Sequence, residues 1–369
     1  MVDCIVVGGG LIGLLTAREL RLRGATVMLI DRSVAGRESS WAGGGILSPL
    51  HPWRYPPAVN RLAAWSRRLW ASLAPELLEH TGLDPEYTRS GMLVLGRDDP
   101  PAIRDWAGEY DETVECVVGG GGRLAAIEPA LGIREDAWWM PEVAQVRNPR
   151  LLRALLAEVR RLGVVVEEEL QVEGIEGSEG RVVGIRTARG RVDAPCVVAA
   201  AGAWSSRLLA DLGGGVNTRP VRGQMLLFRA EPGLLRRIVL EEGRYVIPRR
   251  DGHVLAGSTL EEAGFEKEIT EVARDSLYRA AVRLVPALER APVVRQWAGL
   301  RPWSPEGVPW IGAHPALEGL YVNTGHFRNG VVLGAGSARL LAQLISGDPP
   351  EIDPTPYLPA RRKANGNHS

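Results

Sequence analysis

Residues 2–31 read VDCIVVGGGLIGLLTARELRLRGATVMLID, and the fold follows from this stretch. Residues 2–7 form a short apolar run rich in β-branched side chains and bounded by glycine, which reads as a buried parallel strand. Gly8, Gly10 and Gly13 supply G-x-G-x-x-G at the turn from strand to helix. Residues 14–23 carry apolar side chains at helical spacing, and Gly24 supplies the stop. A second apolar run, 26–30, ends at an acid, Asp31. Gly8 permits the tight turn, Gly10 lets the backbone approach a pyrophosphate, and Gly13 lets the helix pack close to the strand. The free N–H groups and dipole of the helix then favour phosphate. Asp31 is placed to accept hydrogen bonds from ribose hydroxyls, which suits an adenosine without a 2′-phosphate. A lone glycine motif is weak evidence. Strand, glycines, helix, strand and acid in order predict an ADP-binding site, as part of FAD or of NAD.

Composition narrows the class. At 369 residues the chain is long enough for two domains, each with its own core. Lys plus Arg and Asp plus Glu both total 44, so no broad electrostatic case exists for nucleic acid or an anionic membrane. No apolar run reaches 18 residues, so no membrane span is expected. The chain opens directly on the strand, leaving no room for a targeting peptide. Cys4, Cys116 and Cys196 lack metal-ligand spacing and read as buried, reduced thiols of a cytoplasmic protein. The histidines show no metal-ligand spacing either, so no metal is expected. Eleven tryptophans against three phenylalanines are unusual. Trp297, Trp303 and Trp310 cluster where a substrate pocket is expected, although core packing is the heavier reading of them.

Further along, 32–52 has no clear periodicity, and Ser39, Ser40 and Gly43 to Gly45 suit a loop whose backbone approaches a ligand. Residues 59–81 and 98–110 read as helices, with short strands near 87–95 and 138–140 and an exposed glycine turn at the end of 114–123. Asn148 is placed to cap a helix running to 162, with Pro149 in its first turn. Residues 170–194 read as a small antiparallel ribbon, and 196–201 as a strand running into Gly202. Strands follow at 220–229, 238–248, 253–258 and 293–300, with a helix at 269–284 between them. Residues 320–347 read as strand, glycine turn and helix, and the tail beyond Ile352 as frayed. The predicted fold class is α/β, mixed α+β in detail. A Rossmann-like dinucleotide domain (1–84, 145–218 and 306–369) is interleaved with an antiparallel-sheet substrate domain (85–144 and 219–305). Such interleaving differs from a contiguous NAD dehydrogenase domain and favours FAD.

The stretches VVGGGLIG, SSWAGGGILSP, VVAAAGAWS, PVRGQML, YVIPR, WAGLRPWSPEGVPWIG and GHFRNGVVLGAG occur in order over nearly the whole chain. With them the sequence resembles the D-amino-acid oxidase superfamily of FAD amine oxidases. Within it, the resemblance is to glycine oxidases of the thiamine-biosynthesis type. It implies a substrate-carboxylate clamp at Arg301, and a guanidinium does offer a bidentate, permanently charged fork. It also implies a substrate-facing hydroxyl at Tyr245. Arg328 is implied near the flavin or the substrate, with His326 as pocket wall and Asn329 and Gly330 in the same turn. The implied cofactor contacts include Arg32 beside Asp31, Ser39, Ser40, Gly43 and Gly44 at the ring, backbone of Val172 at adenine, and Gly202. Leu260 occupies a position where relatives vary. No cysteine sits where sarcosine oxidases attach flavin covalently, so FAD is expected to be noncovalent.

The activity implied is oxidative deamination of glycine and small amines such as sarcosine and small D-amino acids. Hydride passes from the α-carbon to flavin N5, no general base is needed, and glyoxylate, ammonia and hydrogen peroxide result. Dioxygen is the implied acceptor, thiazole and thiamine biosynthesis the implied context, and a homotetramer the assembly by analogy. Two other readings stay open. One is a D-amino-acid, imino-acid or cyanide-forming glycine dehydrogenase that uses a non-oxygen acceptor. The other is a noncatalytic flavoprotein module, against which Arg301, Tyr245 and Arg328 together speak.

Overall fold

A computed structural model describes residues 2–96 and 98–359. The opening stretch forms the strand Cys4–Val7, the helix Leu11–Leu22 and the strand Val27–Ile30. These strands join a six-stranded sheet ordered Trp310–Ala313, Leu320–Thr324, Cys196–Ala199, Cys4–Val7, Val27–Ile30, Val165–Glu167. All neighbours are parallel except the outermost pair, Trp310–Ala313 with Leu320–Thr324.

The alternation of side chains along a strand sorts this sheet's two faces. Val6, Leu29 and Val198 point to one side, into a core with the helices Leu11–Leu22, Pro57–Thr81, Asn148–Arg161 and Gly330–Ser346. Ile5, Val7, Ile30 and Val197 point to the other, where the antiparallel strands Val172–Ser178, Arg181–Thr187 and Gly190–Asp193 cover them. Both faces are therefore dry, as a parallel sheet requires.

A second sheet has eight strands, ordered Val293–Trp303, Arg219–Arg229, His253–Gly257, Arg244–Pro248, Ile238–Glu241, Met92–Leu95, Ala137–Met140, Glu115–Val117. Its pairs are antiparallel apart from Ile238–Glu241 beside Met92–Leu95. One face packs on the helix Glu271–Leu284, whose first turn is capped by Thr270 Oγ1 accepting from Ala273 N at 3.3 Å. The other face carries Met225, Tyr245 and Ile247.

Several expectations change. The helix expected to be capped by Asn148 begins at that residue, with Arg147 in the cap position. Asn148 instead turns its side chain away and donates from Nδ2 to Ser40 O at 2.6 Å. A short helix, Gly122–Ile127, follows the glycine turn and was not expected. Cys4 is buried and Cys196 half-buried, their sulfurs 2.9 Å apart, but Cys116 is exposed. The tail is not frayed through residue 359. Tyr357 is fully buried and donates from its hydroxyl to Ala58 O at 2.7 Å. The remainder of the expected frayed tail, 360–369, lies outside the described residues. Among the described residues no helix is long and apolar enough to cross a membrane.

Candidate functional site

One continuous cavity of ≈ 420 Å³ runs from the ends of the parallel strands to the inner face of the large sheet. At its first end the glycine turn behaves as its spacing predicts. Gly8 holds φ +112°, and a Cβ there would come 2.5 Å from Ala200 O. A Cβ on Gly13 would overlap the Gly8 carbonyl oxygen, so the helix closes on the strand only with glycine at that place. Gly10 faces open space save for Ser40 Oγ. The helix Leu11–Leu22 has no side-chain cap on Gly10 and no acid in its first turn, which leaves its N-terminus available to an anion. Ser40 Oγ accepts from Leu11 N at 2.9 Å.

Asp31 lines the cavity with Arg32 and Val172. Its carboxylate also fixes the glycine turn, accepting from Gly9 N at 2.6 Å and from Ser33 N at 2.8 Å. Arg32 lies over the Trp204 ring, 3.8 Å from its centroid. The cradle therefore fits a dinucleotide such as FAD, whose phosphates Gly8, Gly10 and the following helix would face and whose ribose Asp31 would face.

Midway, Ser39, Ser40, Gly43 and Gly44 line one wall and Gly202 another. Gly43 and Gly45 abut Asn148, and Gly44 abuts Ile247 and Tyr245, so side chains on these glycines would meet the wall behind them. Behind Gly44 lies Arg249, which donates to Gly44 O and Gln145 Oε1 at 2.8 Å and to Val146 O at 3.0 Å. Burial pushes its guanidinium down to about 10. Neither the residue type nor its spacing marked Arg249 as a brace for this loop. Its partners are 103 to 205 residues away.

At the far end, Arg301 on Val293–Trp303 sits opposite Val221 and lays its guanidinium across Gly223, where any Cβ would collide. It donates to Thr259 O at 3.0 Å and Ser258 Oγ at 2.7 Å. Ser258 O in turn accepts from Arg244, which also reaches Ser276 Oγ at 3.2 Å. Burial pushes the Arg301 guanidinium below its ordinary range, the nearby Tyr245 opposes the shift, and Arg328 adds to it. Glu261, the acid that supports its charge, is committed to Arg222 and Gln224. Tyr245 lines the cavity, its hydroxyl 3.6 Å from Met225 Sδ.

The turn before the last helix brings His326, Arg328 and Gly330 to the cavity. His326 is buried, its Nε2 is 3.0 Å from Ser337 Oγ, and burial pushes it down to about 3. It is a neutral wall. Asn329 is also buried but is not among the lining residues, and neither is Gly13, which packs against Gly8. Leu260 is 57% exposed and is not among the residues lining the cavity.

The late tryptophans do not form a pocket. Trp297 packs edge-on against Trp41 and donates to Ala42 O, Trp303 carries Arg219, and Trp310 is buried in the core. The tryptophan that lines the cavity is Trp204. Ser258 and Met225 also line it without having been singled out, since their role depends on neighbours across the sheet.

Comparison with known proteins places this geometry. A family profile described as FAD dependent oxidoreductase matches residues 3–344. A glycine oxidase of Pseudomonas aeruginosa is 49% identical over 360 residues, 97% of this chain and 98% of that protein. A bifunctional ThiO/ThiG protein of a Nostoc species is 34% identical over 93% of this chain, which spans 52% of that longer protein. The crystal structure of glycine oxidase from Geobacillus kaustophilus superposes with a TM-score of 0.90 at 30% identity, covering 98% of each chain.

Proposed function

Since this chain belongs to the FAD-dependent oxidoreductase family, we propose that it oxidatively deaminates glycine and small amines such as sarcosine and small D-amino acids. Glycine, water and dioxygen give glyoxylate, ammonia and hydrogen peroxide. Among the described residues, those of 1–84, 145–218 and from 306 on are assigned to the cofactor domain and those of 85–144 and 219–305 to the substrate domain, a division supported by the two separate large sheets. The similarity to the ThiO/ThiG protein supports a place in thiamine biosynthesis.

The observation that carries the reading is Arg301. It is a cation at the end of the cavity, braced by Ser258 and Thr259, with no carboxylate of the described residues in ion-pair contact. An uncompensated buried charge is costly, and a substrate carboxylate offsets that cost with charge-assisted hydrogen bonds. Tyr245 lies beside it to orient the same group, and Arg328 adds positive charge to the wall. The two arginines disfavour a third positive charge, so the substrate amine binds neutral with its lone pair free to drive loss of the α-hydrogen. Bound FAD supplies the two-electron acceptor for that hydrogen. The chain's own task is positioning. Gly43 and Gly44 keep one wall thin, held there by Arg249 and Asn148. Met225, Tyr245 and Leu50 add apolar surface to the cavity that excludes water. His326 stays neutral against Ser337 and takes no proton.

Anaerobic addition of glycine, sarcosine, D-alanine or D-proline tests the proposal. Glycine is expected to bleach the flavin, with rapid recovery and peroxide on admitting air. No bleaching by any of the four overturns the substrate assignment, and slow recovery moves the acceptor away from dioxygen. Arg301→Lys, which removes the fork but keeps the charge, is expected to raise KM for glycine roughly 10- to 100-fold, as loss of a charge-assisted bidentate contact implies.

A further inference from the structure

Residues 258–270 connect the strand His253–Gly257 to the helix Glu271–Leu284, and both ends of this connection are bolted to the edge of the large sheet. Near its start, Glu261 pairs backbone to backbone with Arg222 at 2.9 and 3.0 Å, and its carboxylate takes Arg222 and Gln224. At its end, Thr270 N donates to Gln224 Oε1 at 2.9 Å, and Gln296 Nε2 donates to Thr270 O at 3.0 Å. Between the bolts the sequence is EAGFEKEI, polar but for Phe265 among its large residues before Ile269.

That middle part reaches across to the other half of the molecule. Phe265 packs on Trp204 with ring centroids 5.3 Å apart, and the Arg207 guanidinium lies 3.6 Å from the Phe265 centroid. Trp204 carries Arg32 on its ring. Lys267 Nζ pairs with Glu38 at 3.0 Å. Arg32, Glu38, Trp204 and Arg207 all line the cavity, whereas Phe265 and Lys267 do not. Two residues of one connection thus clamp, from outside, three wall residues, Glu38, Trp204 and Arg207, drawn from two distant stretches of the chain, and reach a fourth, Arg32, through Trp204.

We propose that the segment 261–268 is a latch over the dinucleotide channel, with Phe265 and Lys267 as positioning residues that retain noncovalent FAD. The ends of the segment are anchored by several hydrogen bonds each. Its middle rests on an aromatic contact, a cation–π contact and two solvent-exposed ion pairs, Lys267–Glu38 and Glu262–Arg219, each individually weak. The middle therefore opens without unfolding the rest, and FAD leaves by that opening. The Lys267–Glu38 pair makes opening easier in salt.

The inference rests on bound FAD and not on the amine substrate, so it is read by flavin release in the purified holoenzyme whether or not glycine bleaches it. FAD fluorescence after dilution gives the release rate. Phe265→Ala is expected to release FAD about tenfold faster, and Lys267→Glu to release it faster by a smaller factor that high salt abolishes. Phe265→Trp and the exchanged pair Lys267→Glu/Glu38→Lys are expected to restore slow release. KM for glycine in FAD-saturated Phe265→Ala and Lys267→Glu enzyme stays unchanged, neither residue lining the cavity. Release rates equal to the parent's in both Phe265→Ala and Lys267→Glu overturn the latch. So does faster release that merely parallels a lower melting temperature of the apoprotein.

Discussion

His326 shows how one side chain writes itself into the behaviour of the protein. It is 1% exposed, contacts Ser337 Oγ, and is held neutral by burial down to about pH 3. In the unfolded chain an ordinary histidine protonates below about 6.5. Between these values the unfolded state binds the extra proton, so stability is full above about pH 6.5 and falls as pH drops toward 3. The slope approaches about 1.4 kcal/mol per pH unit for this one group. His51 and His314 are also pushed down by burial and act in the same direction. His326→Asn is therefore expected to reduce the loss of stability between pH 7 and 5 without abolishing it, as read from urea midpoints at each pH. An unchanged slope would show that the imidazole protonates in the native state.

The helix Gly330–Ser346 connects such residues to the packing. Its first turn faces the cavity through Gly330 and Val331, and Trp70 Nε1 donates to Val331 O at 3.0 Å. Gly334 and Gly336 disfavour a helix in isolation by about 1 kcal/mol each relative to alanine. They are used because two other helices come close. A Cβ at Gly334 would stand 3.0 Å from Leu15 Cδ1, and one at Gly336 3.0 Å from both Leu62 Cδ1 and Ser66 Cβ. Even the Gly336 N–H is taken, by Ser66 Oγ at 3.0 Å. Gly336→Leu should therefore overpack the crossing with Pro57–Thr81 and cost about 1–3 kcal/mol, measured by chemical denaturation. A neutral result would mean that the long helix shifts freely.

For the molecule as a whole, the chain's return to its beginning matters most. Tyr357 fills the core beneath Pro57–Thr81, and Leu358 lies where a Cβ on Gly312 would strike it. This ties residues 355–358 to the outer strand of the parallel sheet and to its longest helix. Tyr357→Ala is expected to cost about 3–5 kcal/mol, the range for emptying a buried aromatic site. Tyr357→Phe, which loses only the hydroxyl bond to Ala58 O, is expected to cost about 1 kcal/mol. Equal denaturation midpoints for Tyr357→Ala and the parent would show that this segment contributes nothing to the fold.

The strand–glycine–helix–strand turn was legible in the sequence because its physics is local. Gly8, Gly10, Gly13 and Asp31 act through turn geometry, close approach and a helix end within one strand–helix–strand unit. The two sheets were legible from their apolar runs. Arg301 and Tyr245 emerged through resemblance, since one arginine beside a proline says little by itself. What only the tertiary structure decided lies in contacts between distant stretches. Asn148 had every local feature of a helix cap but is taken by Ser40 O, 108 residues away. The late tryptophans fill gaps between elements, and the proline-rich tail docks because Tyr357 packs into the core and donates to Ala58 O. Arg249 beneath Gly44 and Phe265 on Trp204 bridge segments that no periodicity relates. Local pattern sets an element's type and its buried face, while the partner of each side chain depends on which elements the packed core brings within a few ångströms.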